Sequence, residues 1–324
     1  KRMAVATGAK SALKLGLETS WATPAILTYL VPFTNESLNY RVEAIRSEAN
    51  LNRRASLAIA PGQEGVEGSF DAELYPSTTG VLFYLALGKA SLIDPDSTPD
   101  SGDEYTQITP IGVTEDLPSA TIRVNHGGIK EFDYTGLRVR SLNFEGAVGA
   151  IPKVTLDLVG KSEGEGLATE GSLTIPDSEP FYFKELTLSK DGIVYNVATY
   201  SDIKLTINNN PTEDDYVLDG TGQRIDIAPG DLQITGNATL LFNTDTITDE
   251  YAKFKSWTSF SLWIKLTKNS TDFIIYLPKL QITEAPHDIG GKDKITIGLS
   301  FEALDDGTNG IIIIEDHFNN TGTY

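Results

Sequence analysis

Lys153-Val154-Thr155-Leu156-Asp157-Leu158 alternates polar and apolar side chains without a break. Period two is the signature of a strand with one face in a core and the other in water. Lys294-Ile295-Thr296-Ile297-Gly298-Leu299 repeats that run almost residue for residue. The same alternation returns in Thr121-Ile122-Arg123-Val124, Leu137-Arg138-Val139-Arg140, Lys204-Leu205-Thr206-Ile207 and Leu262-Trp263-Ile264-Lys265-Leu266. Many of these runs carry Val, Ile or Thr and close on Gly, Asn, Asp or Pro clusters, as strands between turns do. Short strands spread along the chain predict a mainly β fold of sandwiches or barrels, not alternating strand–helix–strand units.

Two stretches read as helices. Thr78 to Leu87 ends at Gly88, a C-cap-like position. Thr248 to Trp257 has Asp249 and Glu250 in its first turn, and Tyr251, Phe254 and Trp257 recur at helical spacing. The simplest use of that aromatic face is packing on a sheet.

The chain also repeats itself. Leu57-x-Ile59-Ala60-Pro61-Gly62, followed by Val66 and Gly68, is matched by Ile225-x-Ile227-Ala228-Pro229-Gly230, followed by Ile234 and Gly236. In each copy the Pro-Gly pair reads as a hairpin turn between two strands, with a helix after the second. The separation within the Lys153/Lys294 pair, shared by Gly149/Gly290 and Phe132/Phe273, is shorter than that of the Pro-Gly pair. An insertion in the first copy is therefore expected, and the acidic stretch Asp94 to Glu104 is the candidate. The Gly-, Glu- and Ser-rich stretch Gly160 to Pro176 suits the boundary, giving domains 1–172 and 173–324, each with a flanking helix.

Composition narrows the function. The chain has 324 residues and a formal charge of −19, from 26 Lys and Arg against 45 Asp and Glu. Such an acidic protein repels phosphates and grips nucleic acid poorly. It has no Cys and only three His, which are far apart, so thiolate chemistry is excluded and a zinc enzyme disfavoured. The apolar run Val81 to Leu87 is far too short for a bilayer. Lys1 to Lys14 imitates a signal peptide poorly, so a protein made in the cytoplasm and without membrane attachment is expected.

No constellation for catalysis emerges, and neither a cofactor nor a metal is expected. Asp94, Asp96, Asp100, Asp103 and Glu104 offer oxygens suited to Ca²⁺, but without EF-hand spacing they read as a solvated loop. Asp214-Asp215 and Asp305-Asp306 read as turn acids. Ser37, Ser56 and Ser259 lie in no nucleophile elbow. Gly62 to Gly68 carries two acids between strands, which disfavours a phosphate cradle. The segment Leu38 to Ser56 is different. It sets Arg41, Arg46, Arg53 and Arg54 among Glu43 and Glu48. Mixed charge of this kind suits either pairing with another copy of the surface or simple solubility.

In order along the chain, several short motifs resemble the tail tube proteins of long, non-contractile-tailed bacteriophages. Gly16-Leu17-Glu18-Thr19-Ser20-Trp21-Ala22-Thr23-Pro24 is similar to that family's opening run. Pro32-Phe33-Thr34-Asn35-Glu36-Ser37-Leu38 resembles the start of its first long hairpin. Ser47-Glu48, Arg53-Arg54, Pro61-Gly62 and Val66-Glu67-Gly68-Ser69 continue the pattern. Lys204 to Asn209 and Ile227 to Gly236 resemble a second repeat, and Tyr276 to Lys279 and Phe301 to Leu304 its closing strands. Most of the chain is covered, and the acidic insertion falls outside.

The resemblance implies a structural virion protein, not an enzyme: a duplicated two-domain major tail tube subunit. Subunits of the family close side by side into rings, and rings stack into a tube for viral DNA ejection. Where single-domain relatives place six domains around a ring, three chains of this kind would do so. The implied partners are the chain itself, the tape measure, tail terminator and tail tip, and double-stranded DNA passing without specific binding. The implied location is the virion tail, after assembly in the host cytoplasm. Arg41, Glu43, Arg46, Glu48, Arg53 and Arg54 become candidates for the subunit interface. Pro61, Gly62, Gly68, Pro229, Gly230 and Gly236 are the repeat's turn residues. The competing reading is a carbohydrate- or receptor-binding β module of a tail tip, with Trp21, Trp257 and Trp263 as a sugar platform.

Overall fold

The structure is a computed structural model describing residues 5–49, 55, 58–97, 102–176, 179–194, 200–287 and 294–324. Ala12–Leu17 (β1), Ile26–Val31 (β2), Phe33–Glu36 (β3), Asn39–Arg46 (β4) and Ile59–Glu73 (β5) precede helix α1, Pro76–Leu87. Then come Gly88–Ile93 (β6), Tyr105–Pro110 (β7), Ala120–His126 (β8), Lys130–Ala147 (β9), Lys153–Gly160 (β10), Ser162–Gly164 (β11) and Thr169–Thr174 (β12). Leu186–Lys190 (β13), Ile193–Val194 (β14), Tyr200–Asn208 (β15) and Gln233–Leu241 (β16) follow. A helical stretch runs through Thr244–Thr246 (α2), a π turn at Ile247–Tyr251 and Ala252–Ser256 (α3). Phe260–Lys268 (β17), Thr271–Glu284 (β18), Thr296–Ala303 (β19) and Ile313–Asp316 (β20) complete the fold. It is mainly β, as the alternation predicts.

Antiparallel ladders join β5, β10, β9, β15, β16, β19 and β18, in that order, into one continuous sheet. The first half of β9 leaves this sheet to pair with β8, which continues through β1 and β2. The first half of β18 likewise pairs with β17, which continues to β13 and β14. On its other side β18 meets β20, then β7 and β6. The described residues of the acidic stretch, 94–97 and 102–104, thus flank the ends of β6 and β7, and β7 extends the sheet beyond β20.

After its Ser77-Thr78-Thr79 first turn helix α1 is apolar on every side, and nearly every residue in it is buried, as an enclosed helix requires. It packs on β9, β7, β6 and β2, and Phe83 meets Phe273 of β18 at 5.4 Å between ring centroids. Pro76 starts the helix and Gly88 ends it at φ 94°, a conformation that side chains disfavour. The second helical stretch also lies where it is expected. Tyr251 and Phe254 pack on the core, but Trp257, the left-handed C-cap, is 64% exposed and leaves that face.

The two Pro-Gly pairs correct the hairpin expectation. Pro61 and Gly62 lie inside β5, with Pro61 opposite Ala44 of β4. Proline is tolerated there because this ribbon is exposed and at the sheet's edge. Pro229 and Gly230 lie in the loop before β16, where a Cβ on Gly230 would sit 1.9 Å from the Asn210 carbonyl oxygen. The two segments therefore do not form equivalent turns. Gly68 and Gly236 instead lie within strands, opposite Leu158 and Phe301 respectively.

Candidate assembly surface

Alternation across the continuous sheet leaves one face apolar and buried and the other polar. Phe70, Leu156, Leu142, Ile207 and Ile234 fill the buried side. Ser69 and Asp71, Thr155 and Asp157, Ser141 and Asn143, Thr206 and Asn208, Thr235 and Asn237, then Ser300 and Glu302 occupy the opposite side of six neighbouring strands. Lys153, Lys204 and Arg140 on this face are paired. Lys153 and Lys204 both reach Glu145, at 3.2 and 2.8 Å. The bond from Lys204, reinforced by Lys153, holds the Glu145 carboxyl below its usual range. Arg140 is bound by Glu213 at 2.5 Å and Asp157 at 3.0 Å.

The joint between the halves of the chain is the β9–β15 ladder, from Asp202 opposite Ala147 to Asn208 opposite Ser141. Leu205 faces Phe144 and Ile207 faces Leu142, all four side chains being buried. Asn209 then donates to the carbonyls of Ala86 and Val139, each at 3.0 Å, tying the end of β15 to α1. The loop between β15 and β16 grips the first half. Buried Arg224 donates to the Gly160 carbonyl at 3.0 Å and pairs with Glu67 at 3.2 Å. Buried Arg138 reaches Asp226 at 3.0 Å and also the Ile227 carbonyl. Sequence reading missed these arginines as a joint, although basic residues at alternate positions of β9 in an acidic chain were a visible sign.

The β4–β5 ribbon carries the sequence-predicted interface residues. Arg41, Glu43, Arg46 and Glu48 are exposed, and Arg41 lies 3.3 Å from Glu67. Arg53 and Arg54 lie outside the described residues. Val42, Ile45 and Ile59 are exposed on the same ribbon. Among the described residues, β4 pairs only with β5, so its outer edge meets no strand.

Other acids behave as turn and loop residues. Asp305 accepts from the Gly307 amide, and Asp306 from those of Thr308 and Asn309. Carboxylate oxygens of Asp94, Asp96 and Asp103 lie within 4.8 Å of one another at the exposed hairpin tip; Asp100 lies outside the described residues. The three tryptophans sit on separate elements. Trp21 donates to the Gly136 carbonyl at 3.1 Å, and Trp263 stacks on Tyr276.

Glu18, part of the opening motif, organises the crossing of β1, β8 and β9. Its carboxylate accepts from the amides of Ala22 and Gly136 at 2.8 Å each. The hydroxyls of Ser119 and Thr121 donate to it at 2.7 and 2.8 Å. Among the described residues no helix is long and apolar enough to cross a membrane.

A search of curated proteins gives no match. The family model for the phage tail tube protein matches residues 8–303, and over nearly its whole length the chain belongs to that family of structural virion proteins.

Proposed function

We propose that this chain is the repeating subunit of the tube wall, and that it carries two related units, 1–172 and 173–324. The observation that carries this reading is the shared wiring of the halves. β5 lies between β4 and β10, and β16 lies between β15 and β19. Each is followed by a helix and then by a hairpin, β8–β9 or β17–β18, whose first strand is flanked by β1 or β13. The β6–β7 hairpin has no counterpart between α3 and β17, which suits an insertion.

Since β15 of the second unit pairs with β9 of the first, the units are joined head to tail. A heterologous contact of this kind closes into a ring when repeated at the right angle. Three chains, six units in all, form that ring in this reading, and stacked rings form the tube. The exposed β4–β5 ribbon then reaches a neighbouring chain or ring. Other tail proteins, such as the tape measure, terminator and tip, cap the stack.

The polar sheet face is the wall of the lumen. Its two lysines share Glu145, and Asp71, Asp202 and Glu302 tip the balance of the face to acidic. Passing DNA meets repulsion and no cationic grip. Assembly takes place in the host cytoplasm. Electron microscopy of the purified protein tests the reading: stacked rings with threefold chain symmetry are expected, and a monodisperse monomer at all concentrations would overturn it.

A further inference from the structure

The internal β9–β15 joint defines how one chain meets the next. Strand pairing sets the correspondence between the units. Asn39 stands opposite Glu67, next to Gly68, and Thr206 stands opposite Thr235, next to Gly236. Gly68 leads through Leu158 to Val139 of β9, and Gly236 leads through Phe301 to Ile282 of β18. Both long strands carry a bulge immediately after these residues, at Arg140 and at Thr283. Arg41 therefore corresponds to Asn208, and Glu284 to Ser141. Asn208 and Ser141 are partners in the internal joint.

Beyond Leu280, β18 has β19 on one side and no described strand on the other, whereas β15 fills the corresponding place beside β9. The backbone directions fit. Ser37 donates to the Ser69 carbonyl, so in the ladder that follows the groups of Arg41 also face β5, and those of Tyr40 and Val42 face outward. Gly298 donates to the Pro286 carbonyl, so the groups of Glu284 face β19 and those of Ala285 and Thr283 face outward. Pro286 costs the free edge no donor, because its missing N–H lies on the β19 side.

The geometry points to antiparallel pairing between the β4 edge of one chain and the β18 edge of a second copy, with Tyr40 opposite Ala285, Val42 opposite Thr283, and Arg41 facing Glu284. The register, fixed by backbone pairing alone, sets opposite charges against each other on the polar face. This interface rests on the tube-subunit reading and names the contact that closes the ring.

Arg41 and Glu284 form a non-hydrogen-bonded pair in this register, with Cα atoms about 4.5 Å apart, within disulfide reach. The chain has no Cys of its own. In oxidised assemblies, Arg41→Cys/Glu284→Cys should migrate as covalent multimers that reduction returns to single chains. Arg41→Cys/Glu302→Cys, displaced by a strand, should not. If micrographs show rings or tubes but the first pair gives no more cross-linked product than the second, the edge pairing is wrong and the tube reading survives. If neither the unsubstituted protein nor the variants form rings, the tube reading falls and this interface falls with it.

Discussion

Glu145 of β9 holds Lys204 of β15 at 2.8 Å across the joint between the halves of the chain, and accepts Lys153 of β10 from the other side. Three strands from two halves thus share one carboxylate. The pairs are partly exposed, so each is worth only about 0.2–1 kcal/mol. Directly behind them, buried Leu205 faces Phe144, and truncating such a leucine costs about 2–5 kcal/mol. Glu145→Gln is therefore expected to lower unfolding free energy by about 1 kcal/mol, and Leu205→Ala by several times more. Urea titrations of the two variants check the ranking. An equal loss would mean that charge rather than apolar burial holds the joint.

Glu18 accepts four hydrogen bonds from three separate segments. Glu18→Ala would strand two backbone amides and two hydroxyls in a partly buried site. A loss of about 3 kcal/mol is expected. Glu18→Gln keeps one acceptor oxygen and should recover part of it. Calorimetry of both variants reads the difference, and a change below about 0.5 kcal/mol for the alanine variant would show that water replaces the carboxylate.

Asp316 is a buried carboxyl that accepts from the Tyr324 hydroxyl at 2.6 Å and the Phe318 amide at 3.0 Å. Burial pushes its pKa up to about 6, against the opposing pull of these bonds. The folded state therefore holds this proton more tightly than the unfolded chain. The stability it contributes is complete below the ordinary carboxylate range and is lost as pH rises through about 6. Relative to the unsubstituted protein, Asp316→Asn should gain stability between pH 4 and 8, by about 2–3 kcal/mol. Melting curves at both pH values test the sign, and a constant difference would show that Asp316 ionises freely.

In the tube reading, Asp202 and Glu302 face the lumen and form no salt bridge among the described residues, although the Asp202 charge acts on Lys204. Asp202→Lys/Glu302→Lys should leave rings intact and turn the lumen into a salt-sensitive DNA trap. Gel shifts of assembled tubes with short duplex DNA should show retention at low salt for the variant and none for the unsubstituted tube. Equal retention by both would sink the repulsive-conduit mechanism.

Local chemistry made much of this fold legible in the sequence. Alternation at Lys153–Leu158 and its twin placed two strands with a polar and an apolar face each, because side-chain period depends on the backbone alone. Thr78 to Gly88 announced an apolar helix with a glycine cap for the same local reason. The opening motif around Glu18 marked the family, but not the four donors that converge on it.

What the sequence by itself determined was the strand pattern, both helical stretches, the acidic balance and the resemblance. Tertiary structure alone decided which edges met and which stayed open. Pro61-Gly62 reads as a turn in isolation but lies in a long exposed strand, since pairing with β4 outweighs a weak local turn preference. Arg138, Arg140 and Arg224 look like scattered surface charges until β9, β10 and the loop after β15 bring them to acids and carbonyls distant in sequence. The placement of β15 beside β9 follows from burying Leu205 and Ile207 against Phe144 and Leu142, a contact between residues some sixty positions apart. Local pattern carries no information about such a partner, because the energy that selects it appears only when both surfaces leave water together.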